Sequence, residues 1–131
     1  RSTPSNSSAA SDVYKRQDII HQVDVNERYL SLVREKAKRK ILFVPHALRQ
    51  MSRADRMITV SDVRKVIFEG EIIEDYPRDK RGHSCLMLGT GMDGRAIHVV
   101  CSPKDEYLVI ITAYLPTEHE WGQDFRVRRK N

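Results

Sequence analysis

Between about residues 25 and 70 the apolar positions recur every three or four residues; beyond Gly70 they fall in short runs broken by Gly, Pro and Asp. The first pattern puts Tyr29, Leu32, Val33 and Ala37 on one stripe and turns Arg34, Glu35 and Lys38 outward, which predicts a helix over about 25–39. Asp24 stands at its N-cap, with Glu27 three residues on completing a capping-box pattern. The apolar run at 41–44 stops at Pro45, and proline suits the first turn of a second helix over about 45–53, where a missing N–H costs nothing. A third helix follows, capped by Thr59 or Ser61, with Val63, Val66 and Ile67 as its buried stripe and Gly70 closing it.

Past Gly70 the segments 71–76, 83–89, 95–102 and 106–115 are short and rich in strand-forming residues. Turn signals separate them: Pro77 to Gly82, Gly89 to Gly94, and Ser102 to Asp105. Connections this short allow hairpins and exclude crossover helices. The expected architecture is α+β, with N-terminal helices packed on one face of a four-stranded antiparallel meander sheet. Trp121 and Phe125, after Pro116, are expected to staple the following segment to the body. One domain over 18–131 accounts for these elements. Residues 1–17 are Ser- and Ala-rich without a helix or strand period, so they are expected to be disordered. Their ending, SDVYKRQ, resembles translated adapter sequence, and the segment is set aside as non-native.

Composition narrows the function classes. No stretch approaches the roughly 20 apolar residues of a membrane helix, and no secretory signal pattern is seen, so a cytoplasmic protein without a membrane partner is expected. Cys85 and Cys101 sit in strand-like runs and are too few for a disulfide framework. The formal charge of +5 suggests nucleic acid, yet residues 1–17 carry +2 of it. Basic residues bunch at Arg34, Lys36, Lys38, Arg39 and Lys40 and at Arg126, Arg128, Arg129 and Lys130, as solvated surfaces or as phosphate-binding ones.

The histidines His21, His46, His83, His98 and His119 lack paired ligand spacing, so no metal is expected. GTGMDG at 89–94 reads as a hairpin turn, since no helix follows it, and no cofactor is expected. Metal-free RNA cleavage needs a base, an acid and a cation for the phosphate, which histidine and arginine supply near neutral pH. His98 lies among aliphatic neighbours. If Cys101 pairs with Tyr107, His98 faces Ile110, and Thr112 and Tyr114 follow on the same side of the sheet. A half-buried histidine bonded to a backbone carbonyl is the alternative for His98. His46 begins a helix, where the dipole favours a neutral base, or is a plain surface histidine. Arg49 and Arg53 share a helix face and, with Arg56, either bind phosphate or are solvated. Asp75 and Glu74 read as edge-strand charges, and His83 as a turn residue.

The series HALRQM at 46–51, DVRKVIFEGEIIEDYPRD at 62–79, HSCLMLG at 83–89, IHVVCSP at 97–103, IITAYLP at 110–116 and WGQDF at 121–125 resembles the bacterial domain of unknown function numbered 4258. That resemblance implies a RelE-like or barnase-like fold that cleaves RNA on its sheet face, with a small zinc-finger antitoxin as partner. It carries candidate roles to His46, His98, Thr112 and Tyr114. Many members have arginine where Gln50 stands, and the segment from Met51 to Ile58 is longer than their common form, so Arg49, Arg53 and Arg56 are the substitutes for phosphate binding, joined by Arg128 and Arg129. The function expected is a metal-independent endoribonuclease toxin acting on mRNA, with or without the ribosome. The alternative is a non-catalytic RNA- or protein-binding module of the same fold.

Overall fold

The computed structural model describes residues 26–129; the expectations for residues 1–17 and for the Asp24 cap lie outside them. The chain divides into two units, Arg1–Ser31 and Leu32–Asn131. Of the first, residues 26–31 are described and are helical. The second contains the rest of that helix (α1, residues 26–39), β1 (Ile41–Phe43), α2 (Pro45–Met51), α3 (Val60–Glu69), β2 (Glu71–Tyr76), β3 (Ser84–Thr90), β4 (Ala96–Pro103), β5 (Leu108–Tyr114) and α4 (Glu118–Trp121).

The class is α+β as the periodicity predicts, but the sheet has five strands in the order β1-β5-β4-β3-β2. Strands β2 to β5 form the antiparallel meander. The unpredicted strand β1 joins β5 in parallel, Leu42 opposite Val109. Three residues are too few to show a period of two, and the partner strand comes much later in the sequence, so nothing local marked it.

Helix α3 begins where its sequence says. The Thr59 hydroxyl accepts the Asp62 N–H at 3.0 Å, and Asp62 Oδ2 accepts the Thr59 N–H at 2.9 Å. The second oxygen of Asp62 accepts the Met92 N–H at 2.7 Å, so one buried carboxylate ties the helix start to the β3–β4 turn. Burial pushes the Asp62 pKa up, but bonds from the Thr59 and Met92 N–H groups, the Thr59 hydroxyl and the Arg95 charge together hold it below the usual carboxylate range. Arg95 also donates to the carbonyls of Arg56 and Met57, fixing the α2–α3 connection.

At the other end of α3, Gly70 is not left-handed; its φ is −87°. A Cβ there would lie 2.5 Å from the Leu88 carbonyl oxygen and 2.6 Å from that of Val66. Glycine is required by close approach, not by conformation. Arg34, expected to point outward, instead donates from Nε to the Ile67 carbonyl at 2.9 Å and from Nη2 to the Gly70 carbonyl at 2.8 Å. The last carbonyls of a helix lack intrahelical partners, and a half-buried guanidinium supplies one here. Helix α2 ends at Met51 with Ser52 as C-cap, so Arg53 lies beyond it and shares no helix face with Arg49.

Val63, Val66, Ile67, Met87, Ile97 and Val99 are fully buried where α3 packs on β3 and β4. The side chain of Val66 stands over Gly89, so residues 85, 87 and 89 of β3 look toward the helix, and residues 84, 86 and 88 look away. Cys85 and Cys101 face each other on the helix side as free thiols, Sγ to Sγ 3.8 Å.

A polar cluster beneath the segment after β5

Strands β4 and β5 run in a different register from the one expected. The turn reaches to Tyr107, whose carbonyl accepts the Lys104 N–H at 2.8 Å, and Pro103 pairs with Leu108. A bulge between Val100 and Cys101 shifts the ladder again, so His98 meets Tyr114 instead of Ile110. The total slip is even in number, and an even slip preserves the face. His98, Thr112 and Tyr114 therefore do share the side of the sheet away from α3.

That side is not open. The segment after β5 crosses it, and His98 has no exposed surface. Its Nε2 lies 2.8 Å from the Phe125 carbonyl oxygen, which can only accept, so Nε2 carries the proton. Nδ1, 3.2 Å from the Tyr114 hydroxyl, then accepts from Tyr114. The ring of Trp121, itself buried, meets the imidazole edge-on at 4.4 Å between centroids. Burial lowers the His98 pKa first of all; the Phe125 carbonyl and Glu74 oppose this, and Arg128 adds to it. The backbone-carbonyl bond of the alternative is present, but His98 is fully buried and not half-buried.

Around this pair the cluster widens. The guanidinium of Arg128 lies 4.5 Å over the Trp121 ring and binds Glu74, Nε to Oε2 at 3.0 Å. Glu74 also accepts the Tyr76 hydroxyl, and burial together with Glu74 pushes the Tyr76 pKa up to about 12. Glu74 lies on the edge strand β2, as expected, and is in addition a half-buried member of the cluster. Burial raises the Tyr114 pKa as well; the charges of Arg128 and Arg56 lower it, and those of Glu74 and Glu120 raise it. A cleft of about 260 Å³ lined by His119, Glu120, Arg128 and Arg129 shares Glu120 and Arg128 with these charges.

Of the candidates on α2 and the α2–α3 connection, Arg56 acts on Tyr114 through its charge, and the others lie apart. His46 is exposed at the start of α2, and no hydrogen bond, ion pair or ring contact among the described residues joins it to the cluster. Arg49 is exposed in the last turn of α2, and Arg53 pairs with Asp55 at 3.3 Å. Arg56 is held by Gln50, Nη1 to Oε1 at 2.6 Å. His83 binds Asp75 at 2.5 Å. Trp121 staples its segment to the body as expected, while sequence reasoning missed Glu74, Tyr76, Glu120 and His119 as its neighbours. The alternation of Glu74 and Tyr76 in β2 marked them for one face, but nothing local showed which later segment would lie over it. Among the described residues no group of three His, Cys, Asp or Glu side chains is placed to hold a metal ion. No helix among them is long and apolar enough to cross a membrane.

The molecule is thus an α+β domain whose five-stranded sheet packs α3 on one face and holds a histidine–tyrosine–tryptophan cluster on the other. The chain belongs to the family described as a domain of unknown function (DUF4258), whose model matches residues 43–115. The match takes in His98, Thr112, Tyr114, Glu74 and Tyr76 and stops before Trp121 and Arg128. No curated protein and no solved structure matches the chain.

Proposed function

We propose that this domain is an endoribonuclease of the toxin type, cleaving mRNA by attack of a 2′-hydroxyl on the adjacent phosphodiester. The observation that carries the reading is a partly buried Tyr114 hydroxyl, 3.2 Å from His98 Nδ1, kept un-ionised by burial and within reach of the charges of Arg128 and Arg56. In this reading the two arginines hold the charge that builds on the phosphate. His119 or Glu120, both lining the cleft with Arg128, takes the 2′-hydroxyl proton as the 2′-oxygen bonds to phosphorus. The bond from phosphorus to the 5′-oxygen breaks, and Tyr114 gives its proton to that oxygen. The products are a 2′,3′-cyclic phosphate and a 5′-hydroxyl. His98 acts here as a positioning residue through its bond to Tyr114. The RelE-like or barnase-like grouping, a zinc-finger antitoxin as partner and action near the ribosome belong to the same proposal, supported by the layered α+β fold and the family.

A second reading has its own observation. Both ring nitrogens of His98 are engaged and none of its surface is exposed, as in a structural histidine, which favours a non-catalytic RNA- or protein-binding module. Incubating the purified protein with RNA in EDTA separates the two. Defined cleavage supports the enzyme, binding without cleavage supports an RNA-binding module, and RNA neither bound nor cleaved sinks both of these and leaves a protein-binding module. Tyr114→Phe keeps the ring and removes the proton. Cleavage is expected to fall by roughly 10²- to 10⁴-fold with the fold intact by circular dichroism; unchanged cleavage removes Tyr114 from the mechanism.

A further inference from the structure

Residues 117–129 lie over His98, yet their backbone hydrogen bonds close within the segment. The N–H groups of Trp121, Gly122, Phe125 and Arg129 go to the carbonyls of Thr117, Glu118, Gly122 and Glu120. Among the described residues, none of these backbone groups enters the sheet ladder. Ties from the segment to the sheet include the His98 Nε2–H bond to the Phe125 carbonyl, the Trp121 contact on the same imidazole, a side-chain bond between Arg128 and Tyr76, and two ion pairs. Those pairs are Arg126 with Glu71, 2.6 Å, and Arg128 with Glu74, 3.0 Å. Arg126 and Glu71 are each about half exposed, at 48% and 49%. Phe125 holds a left-handed φ of 61°, unfavourable for a residue with a Cβ, while its carbonyl reaches the imidazole. The span matched by the family model also ends before this segment.

We propose that residues 117–129 are a strap that lifts from the sheet as one unit, latched by His98; its opening admits ligand to Tyr114, and its reclosing brings back His119, Glu120 and Arg128, which it carries. A unit with self-contained backbone bonds and few ties leaves its neighbours folded when it opens, the physical signature of a local opening reaction. Opening takes the Trp121 ring and the Phe125 carbonyl away from His98 together, because both belong to the same unit. The control of RNA access rests on the ribonuclease reading; the opening itself does not.

Hydrogen–deuterium exchange on the full chain, read by peptide, tests the opening. Strap amides should exchange well before those of β3 and β4. Glu71→Lys sets a cation against Arg126 and should speed strap exchange roughly threefold to tenfold, with β3 and β4 unchanged. The charge swap Glu71→Lys with Arg126→Glu should restore the parent rate. Emission of Trp121, the only tryptophan in the chain, should shift to longer wavelength in Glu71→Lys and return in the swap. Strap amides that exchange only in step with β3 and β4 overturn the proposal. For access, cleavage of a single-stranded oligoribonucleotide is compared in parent and Glu71→Lys. Faster cleavage by the variant supports control by the strap, and equal rates refute that control. Local opening with no cleavage by either protein refutes the ribonuclease reading and leaves the strap standing.

Discussion

His98 shows how one buried side chain sets a pH dependence for the whole domain. Burial depresses its pKa, with Arg128 adding to the effect and Glu74 and the Phe125 carbonyl opposing it. Between the folded value and the unfolded one near 6.5, the unfolded chain carries a proton that the folded chain lacks. Its contribution to stability is therefore complete above about pH 6.5 and is lost as pH falls toward the folded value, by up to about 1.4 kcal/mol per pH unit. The urea midpoint of the parent should drop between pH 7.5 and 5.5. His98→Gln, whose amide can still donate to the Phe125 carbonyl, should start lower and stay flatter across that window; an equal drop in both proteins would assign the effect elsewhere. The partner of this residue was legible in the sequence even though its register was not. An imidazole among aliphatic residues and a Thr-x-Tyr pair at strand spacing reach one face under any even slip, whereas the bulge beside Val100 has no local signal.

At the scale of elements, the distance between α3 and the sheet is set by two glycines, and they should not respond alike to substitution. A Cβ on Gly70 meets the backbone oxygens of Leu88 and Val66, which cannot move without breaking a strand or a helix bond. On Gly89 it meets Val66 at 3.0 to 3.2 Å, a contact that a shift of the helix by a few tenths of an ångström relieves. Gly70→Ala should cost about 2–3 kcal/mol and Gly89→Ala about 1 kcal/mol, measured by urea unfolding. A larger loss for Gly89→Ala would mean that α3 cannot shift. The elements themselves were largely readable. Thr59 and Asp62 announced the start of α3, and Pro-, Gly- and Asp-rich turns bounded the four meander strands. What was not readable came from pairing across sequence distance: β1 against β5, Arg34 on the end of α3, and the strap against β2 and β4.

Across the whole molecule, clusters of positive charge that suggest nucleic acid in the sequence turn out to be partly consumed by the fold. Arg126 and Arg128 bind Glu71 and Glu74, Arg34 ends α3, Lys36 donates to the Asp105 carbonyl, and Arg39 pairs with Glu106. The two faces of the sheet are held in different ways: one by the aliphatic packing of α3, the other by a strap tied with polar groups. They should consequently open separately, and the cysteines allow this to be measured. Cys85 and Cys101 are fully buried on the helix face, and the neighbouring Cys85 thiol together with burial holds the Cys101 thiol well above its usual range. Labelling by a thiol-reactive disulfide at pH 8 should be slower than in guanidinium-unfolded protein by on the order of a thousandfold or more, since it requires opening of the core. In Glu71→Lys the strap loosens while α3 stays on β3 and β4, so the labelling rate should not change. If loosening the strap speeds labelling by the same factor as strap exchange, the sheet and strap form one cooperative unit, and the independence of the two faces is lost.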